Sequence, residues 1–140
     1  MVEYNRNSCQ RSYMLLIDKQ DVIRRYIDAY NTFDIYLMLA FLHPDIRFKN
    51  LSNGEMNAQT LGKSEFESLA RQSATLFKTR THTVKSLEIN GDKATVEIDF
   101  TAVLAKALSN DLQAGDKLAI QGKTEFIFKD NLIWSIVDES

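Results

Sequence analysis

The chain has 140 residues, 44% of them hydrophobic and 26% charged, which suits one domain of ordinary size with a real core. A formal net charge of −2 gives no general attraction for nucleic acid or acidic membranes, so neither is expected as a partner. The single cysteine, Cys9, excludes an internal disulfide and a cysteine-built metal cluster.

Residues 1–17 show no apolar period and are expected to form a partly disordered extension; 18–140 read as a single domain. The run Met14–Ile17 is too short for a signal-peptide core, and the longest apolar run, Ile35–Leu42, is far below a membrane span. The thiol-poor chain fits a reducing compartment, and a cytoplasmic location is the expectation.

Asp18 suits an N-cap. Val22, Ile23, Tyr26, Ile27 and Tyr30 then form one apolar stripe at helical period. Asn31-Thr32-Phe33 breaks that helix and Asp34 caps a second, Ile35–Leu42. This second helix is apolar nearly all round and is expected to be deeply buried. Pro44 is expected to end it, with His43 complementing the dipole at its C-terminus.

Ile46, Phe48 and Asn50 share one face of the next strand. Asn53-Gly54 marks a hairpin, with the return strand over Glu55–Thr60. Ser64–Glu67 reads as a capping box opening a third helix, whose stripe is Phe66, Leu69, Ala70, Ser73 and Phe77 and which ends near Lys78.

From Thr81 the period changes to two. Thr81–Ile89 is a strand with a parity slip between Val84 and Leu87, the mark of a bulge. Lys93–Leu104 alternates cleanly, with Ala94, Val96, Ile98, Phe100, Ala102 and Leu104 on one face. A polar loop over 105–116 follows. The next strand turns Leu118, Ile120, Gly122, Thr124, Phe126 and Phe128 inward, and Leu132–Glu139 carries Trp134, Ile136 and Asp138 at one parity. Its two largely apolar faces suggest a central strand. The order ααββαββββ predicts an α+β cone, a curved antiparallel sheet wrapped around three helices. Gly122-Lys123-Thr124 is not a phosphate loop, because the first glycine of that motif is lacking and the segment reads as a strand.

The segments RRYIDAYNTFD, HPDIRFKN, LGKSEF and FIFKDNLIWSIVDES, in this order, resemble the NTF2-like superfamily and, within it, the SnoaL-like and ketosteroid-isomerase-like branch. The resemblance covers roughly residues 18–140 and implies a cystatin-like α+β roll. It does not fix an activity, because that superfamily hosts isomerases, cyclases, dehydratases, binding modules and association domains. It implies that Tyr26 holds the oxyanion-donating position of the isomerases, Asn50 that of their base, and Thr124 that of their second acid. An amide has no usable basicity near neutral pH, so ketosteroid isomerisation by the carboxylate mechanism is not expected. In the polyketide-cyclase relatives an acid–base aspartate follows a tryptophan on the last strand; here the pair is Val137-Asp138.

The expected site is thus a cone cavity for a small apolar molecule. Asp138 and Tyr26 are its candidate catalytic groups, and Asn50, Thr124, Tyr30, Phe100, Phe126, Trp134 and His82 its candidate ligand contacts. The first expectation is binding. The alternatives are a SnoaL-like isomerase, cyclase or dehydratase using Asp138 with Tyr26, and a protein-association domain. His43 and His82 lie far apart and no carboxylates cluster with them, so neither metal nor cofactor is expected. The resemblance also implies a homodimer through the outer sheet face, where Glu97, Asp99, Lys123 and Glu125 offer complementary charges.

Overall fold

The computed structural model describes residues 19–140. The expected extension over 1–17, Cys9 and the Asp18 cap lie outside the described residues.

Helix α1 covers 19–31 and buries Ile23, Tyr26, Ile27 and Ala29 against the sheet. Its wet side carries the Asp21–Arg25 ion pair at 2.9 Å. The helix ends at Phe33, which takes a left-handed φ of 59°, an uncommon conformation for a bulky residue. The turn is held by Asp34 N–H donating to the Ala29 carbonyl at 2.9 Å.

Helix α2 is Ile35–Ala40, capped by Asp34, whose carboxylate accepts from the Leu37 N–H at 3.0 Å. It is shorter and shallower than its composition suggests. Only Ile35 and Met38 are buried, while Tyr36 is 83% exposed. Fewer than two turns can press only one side against the core. Nor does Pro44 end it: the chain enters strand β1, Leu42–Ser52, two residues earlier. Sheet pairing does this work, since Ile133 N–H donates to the Phe41 carbonyl and Leu42 registers with Ile133. Pro44 sits where the register of β1 slips between Leu42 and Arg47, a place where no ladder donor is needed. His43 is therefore a strand residue, not a helix cap. Its Nδ1 accepts from the Asp45 N–H at 3.0 Å and its Nε2 lies 3.3 Å from Asp130 Oδ2.

Asn53-Gly54 makes the hairpin to β2, Glu55–Leu61. Helix α3, Lys63–Ala74, starts after Gly62 at φ 85°, with no side-chain cap. The capping box does not form, because Ser64 is already inside the helix. Glu65 instead reaches back and accepts from the Leu61 N–H at 2.9 Å. Phe77 belongs not to this helix but to β3, Phe77–Asn90, which begins earlier than the sequence pattern suggests and carries a register shift between Val84 and Ser86.

Strands β4, Lys93–Leu104, β5, Lys117–Lys129, and β6, Leu132–Glu139, complete one six-stranded sheet in the order β2-β1-β6-β5-β4-β3. Asp130 and Asn131 turn β5 into β6 with φ of 55° and 63°, the two left-handed residues of a tight hairpin. All pairs are antiparallel except β1–β6, which is parallel. The chain leaves the sheet middle after β1 and returns to it with β6. That puts the C-terminal strand between β1 and β5, covered by neighbours on both edges. One core runs from Ile23, Ile27 and Met38 through Val96, Phe126, Ile133 and Ile136.

Candidate functional site

The helices do not fill the bend of the sheet. A cavity of about 350 Å3 remains between α1, α3 and the inner faces of β1, β3, β4, β5 and β6. Most of its wall is apolar, including Phe48, Phe66, Ile98, Phe100, Phe126 and Ile136. Exposed Lys123 and Glu139, paired at 3.7 Å, lie at its rim.

The polar groups on the wall are ordered by strand register. Asn50 of β1 stands opposite Asp138 of β6, and Asp138 stands opposite Thr124 of β5. Residues at matching register on neighbouring strands share a face, so the three side chains form a row across three strands. Thr124 is buried, and its Oγ1 donates to Asp138 Oδ1 at 2.6 Å. Burial pushes the Asp138 carboxyl up to about 6, against the smaller lowering effect of the Thr124 hydrogen bond. The Asn50 amide donates to Asn57 Oδ1 at 2.7 Å, which fixes its orientation at the hairpin side of the row.

Tyr26 and Tyr30 project from α1 over this row and lie one turn apart. The Tyr26 ring packs edge-on against Phe126, centroids 6.0 Å apart. Its phenol is pushed well above the ordinary value by burial and then by the Asp138 charge, so it remains a proton donor. Burial raises Tyr30 to about 12, with the Arg80 charge opposing. The Tyr30 ring stacks on His82 at 4.3 Å and 11°. His82 lines the cavity beside Phe100, held by Asn31, whose Oδ1 accepts from the His82 N–H at 2.8 Å. Burial and then the Arg80 charge push its imidazole down to about 4, so it is neutral at physiological pH.

The structure thus gathers Tyr26, Tyr30, Asn50, His82, Phe100, Thr124, Phe126 and Asp138 on one cavity wall. Trp134 is not among them. Ile127 pairs with Ser135 and Phe128 with Ile133, so Trp134 is the extra residue of a bulge. The bulge flips parity, and Ile133 and Ile136 both turn inward. Trp134 instead lies under Arg47 at 5.2 Å and Lys129 at 5.6 Å.

Sequence reasoning missed Arg80. It is 3% exposed, lines the cavity and belongs to β3, with the same parity as His82. The signal was the alternation Arg80, His82, Val84 between threonines, which a strand start at Thr81 cut off. Gly122 also has a specific role at the rim. A Cβ there would lie 2.7 Å from the Glu139 carbonyl, so only glycine lets β5 and the end of β6 come this close.

No group of three or more metal-ligating side chains is assembled among the described residues. No helix among them is long and apolar enough to cross a membrane.

The family model of the SnoaL-like domain matches residues 23–136. The sequence matches none of the curated proteins compared with it. Solved structures share the architecture at low identity. A protein named as a polyketide cyclase from Xanthomonas campestris pv. campestris superposes with a TM-score of 0.75 at 19% identity, covering 88% of this chain and 90% of that one. A protein named as a SnoaL-like polyketide cyclase from Jannaschia sp. CCS1 gives 0.74 at 14% identity, over 87% and 84%. An LEH-like epoxide hydrolase from M. tuberculosis gives 0.70 at 13%, over 88% and 82%. Neighbours named for different chemistries share one fold, so the reaction must be argued from the cavity itself.

Proposed function

The chain belongs to the SnoaL-like domain family, and we propose that it is an acid–base enzyme of the cyclase or isomerase kind acting on an apolar carbonyl compound. The observation that carries this reading is Asp138: a carboxyl on an apolar cavity wall, hydrogen-bonded to Thr124 and pushed up to about 6. A carboxylate with that value is both a usable base and, once protonated, a usable acid near neutral pH.

In this mechanism Asp138 takes a proton from the carbon next to the substrate carbonyl. The electron pair left behind moves onto the carbonyl oxygen, and the Tyr26 hydroxyl donates a hydrogen bond to it. Tyr26 suits that role because burial keeps it protonated. The enolate carbon then attacks an internal carbonyl, whose oxygen receives the displaced electron pair and the proton from Asp138, or the enolate takes that proton back at another carbon. Either way Asp138 returns to its carboxylate. Asn50, beside Asp138 in the row, orients the substrate and does not take the proton.

Plain binding is the second reading. It is favoured by Asn50 and Thr124, which stand where the resembled isomerases carry carboxylates. The volume of about 350 Å3 supports both readings, since small-molecule sites begin near 300 Å3. It argues against a filled cone that serves association alone.

Deuterium exchange separates the readings. Apolar 1,3-diketones incubated with the protein in D2O, followed by proton NMR, are expected to exchange their acidic C–H faster than with the Asp138→Asn variant, by about 100-fold or more. Equal exchange by both proteins leaves the binding reading.

A further inference from the structure

Arg80 is a buried cation with no acid beside it. Its guanidinium carbon lies 3.7 Å from the centre of the Tyr30 ring and 4.4 Å from that of Phe33. Its Nε donates to the Tyr30 carbonyl at 2.8 Å. Its Nη2 is buried and has no hydrogen-bond partner. No carboxylate pairs with it among the described residues, and Asp138 is engaged with Thr124.

Two aromatic faces compensate a guanidinium only in part, because they cannot accept from the in-plane Nη2 donors, which stay unmet here. An unmatched buried charge is among the costliest features a fold can carry. The surroundings add no neutralising charge: His82 is neutral and both phenols remain protonated. Phe33, held at φ 59° with its ring on the guanidinium, keeps the group in place. A planar fork of donors fixed by stacking at the wall of an apolar cavity is suited to a planar anion.

We propose that Arg80 anchors the carboxylate of an apolar organic acid, whose greasy body lies along the Phe100 and Ile98 wall. This rests on the reading that the cavity is the substrate site, and it narrows the substrate to a carbonyl compound that also bears a carboxylate. Arg80, Tyr26 and Asp138 all line the same cavity of about 350 Å3, so one small molecule held at Arg80 has Tyr26 and Asp138 within its neighbourhood.

The test is calorimetric titration of the protein with 2-naphthoate and with the neutral isostere 2-naphthamide. The wild type is expected to bind naphthoate at least tenfold more tightly. Arg80→Gln is expected to bring the two within twofold of each other, with naphthamide affinity unchanged. Equal binding of the two by the wild type overturns the Arg80 anchor but leaves the cavity as a site. No binding of either at millimolar concentration overturns both. A naphthoate preference that survives Arg80→Gln also overturns the anchor. Should Arg80→Gln not fold, the Arg80 Nε–H resonance, assigned with Arg80→Lys, must shift with naphthoate and not with naphthamide; no shift with naphthoate overturns the anchor.

Discussion

Thr124 and Asp138 face each other across β5 and β6, and the threonine hydroxyl donates to the carboxylate at 2.6 Å. This hydrogen bond lowers the Asp138 value against the larger effect of burial. Replacing Thr124 by valine keeps the shape and removes the donor. The carboxyl is then expected to titrate higher than in the wild type, as read by carbon-13 NMR of the Asp138 carboxyl. An unchanged titration curve shows that the bond does not act on the charged form.

Stability should follow the same carboxyl. Its folded value, about 6, lies above the ordinary aspartate value of 3.8. Between those values the folded chain holds a proton that the unfolded chain has released, so stability falls as pH rises through about 4 to 6 and is level above. Roughly two pH units correspond to on the order of 3 kcal/mol. The check is the difference between wild type and Asp138→Asn in urea unfolding at pH 4 and pH 7. The wild type should lose more stability over that interval than the variant does. A constant difference between the two proteins means Asp138 is not shifted.

Tyr26→Phe separates donor from packing. The ring supplies the edge contact with Phe126, and no side-chain hydrogen bond ties the hydroxyl to the described residues. Stability is expected to change by less than about 1 kcal/mol. Deuterium exchange should fall by about 100-fold or more, the usual cost of one oxyanion donor. Exchange at the wild-type rate removes Tyr26 from the mechanism.

The rim offers a steric prediction. Gly122→Ala sets a Cβ against the Glu139 carbonyl at 2.7 Å, and backbone does not yield as a side-chain tip does. The variant is expected to lose about 1–3 kcal/mol in urea unfolding. It should also displace the end of β6, where Glu139 adjoins Asp138, and change the Asp138 titration. Full stability in the variant means the strands separate freely here.

Much of this was legible in the residues, for identifiable reasons. The β4 alternation from Ala94 to Leu104 reads directly because one face meets the core throughout. Tyr26 reads from the α1 stripe. Trp134 misreads because a bulge shifts parity, and nothing local in Ile133-Trp134-Ser135 announces it. The α2 burial misreads because composition does not say which side meets the core. The row Asn50–Asp138–Thr124 depends on a parallel pairing between strands separated by most of the chain, which no local period encodes. Arg80 escaped because a charged residue beside a presumed helix end reads as solvated, and only the tertiary structure buries it.

That last point yields a prediction of opposite sign to the usual core substitution. Arg80→Met fills a similar volume with no charge and no unmet donor. The Tyr30 carbonyl, which accepts from Arg80 Nε, also accepts from the Phe33 N–H at 3.2 Å and is not orphaned by the change. Methionine sulfur packs well between the Tyr30 and Phe33 rings. The melting temperature is therefore expected to stay level or rise, while naphthoate preference is lost. If Arg80 were there to hold the fold, Arg80→Met would instead lose several kcal/mol, and thermal unfolding distinguishes the two outcomes directly.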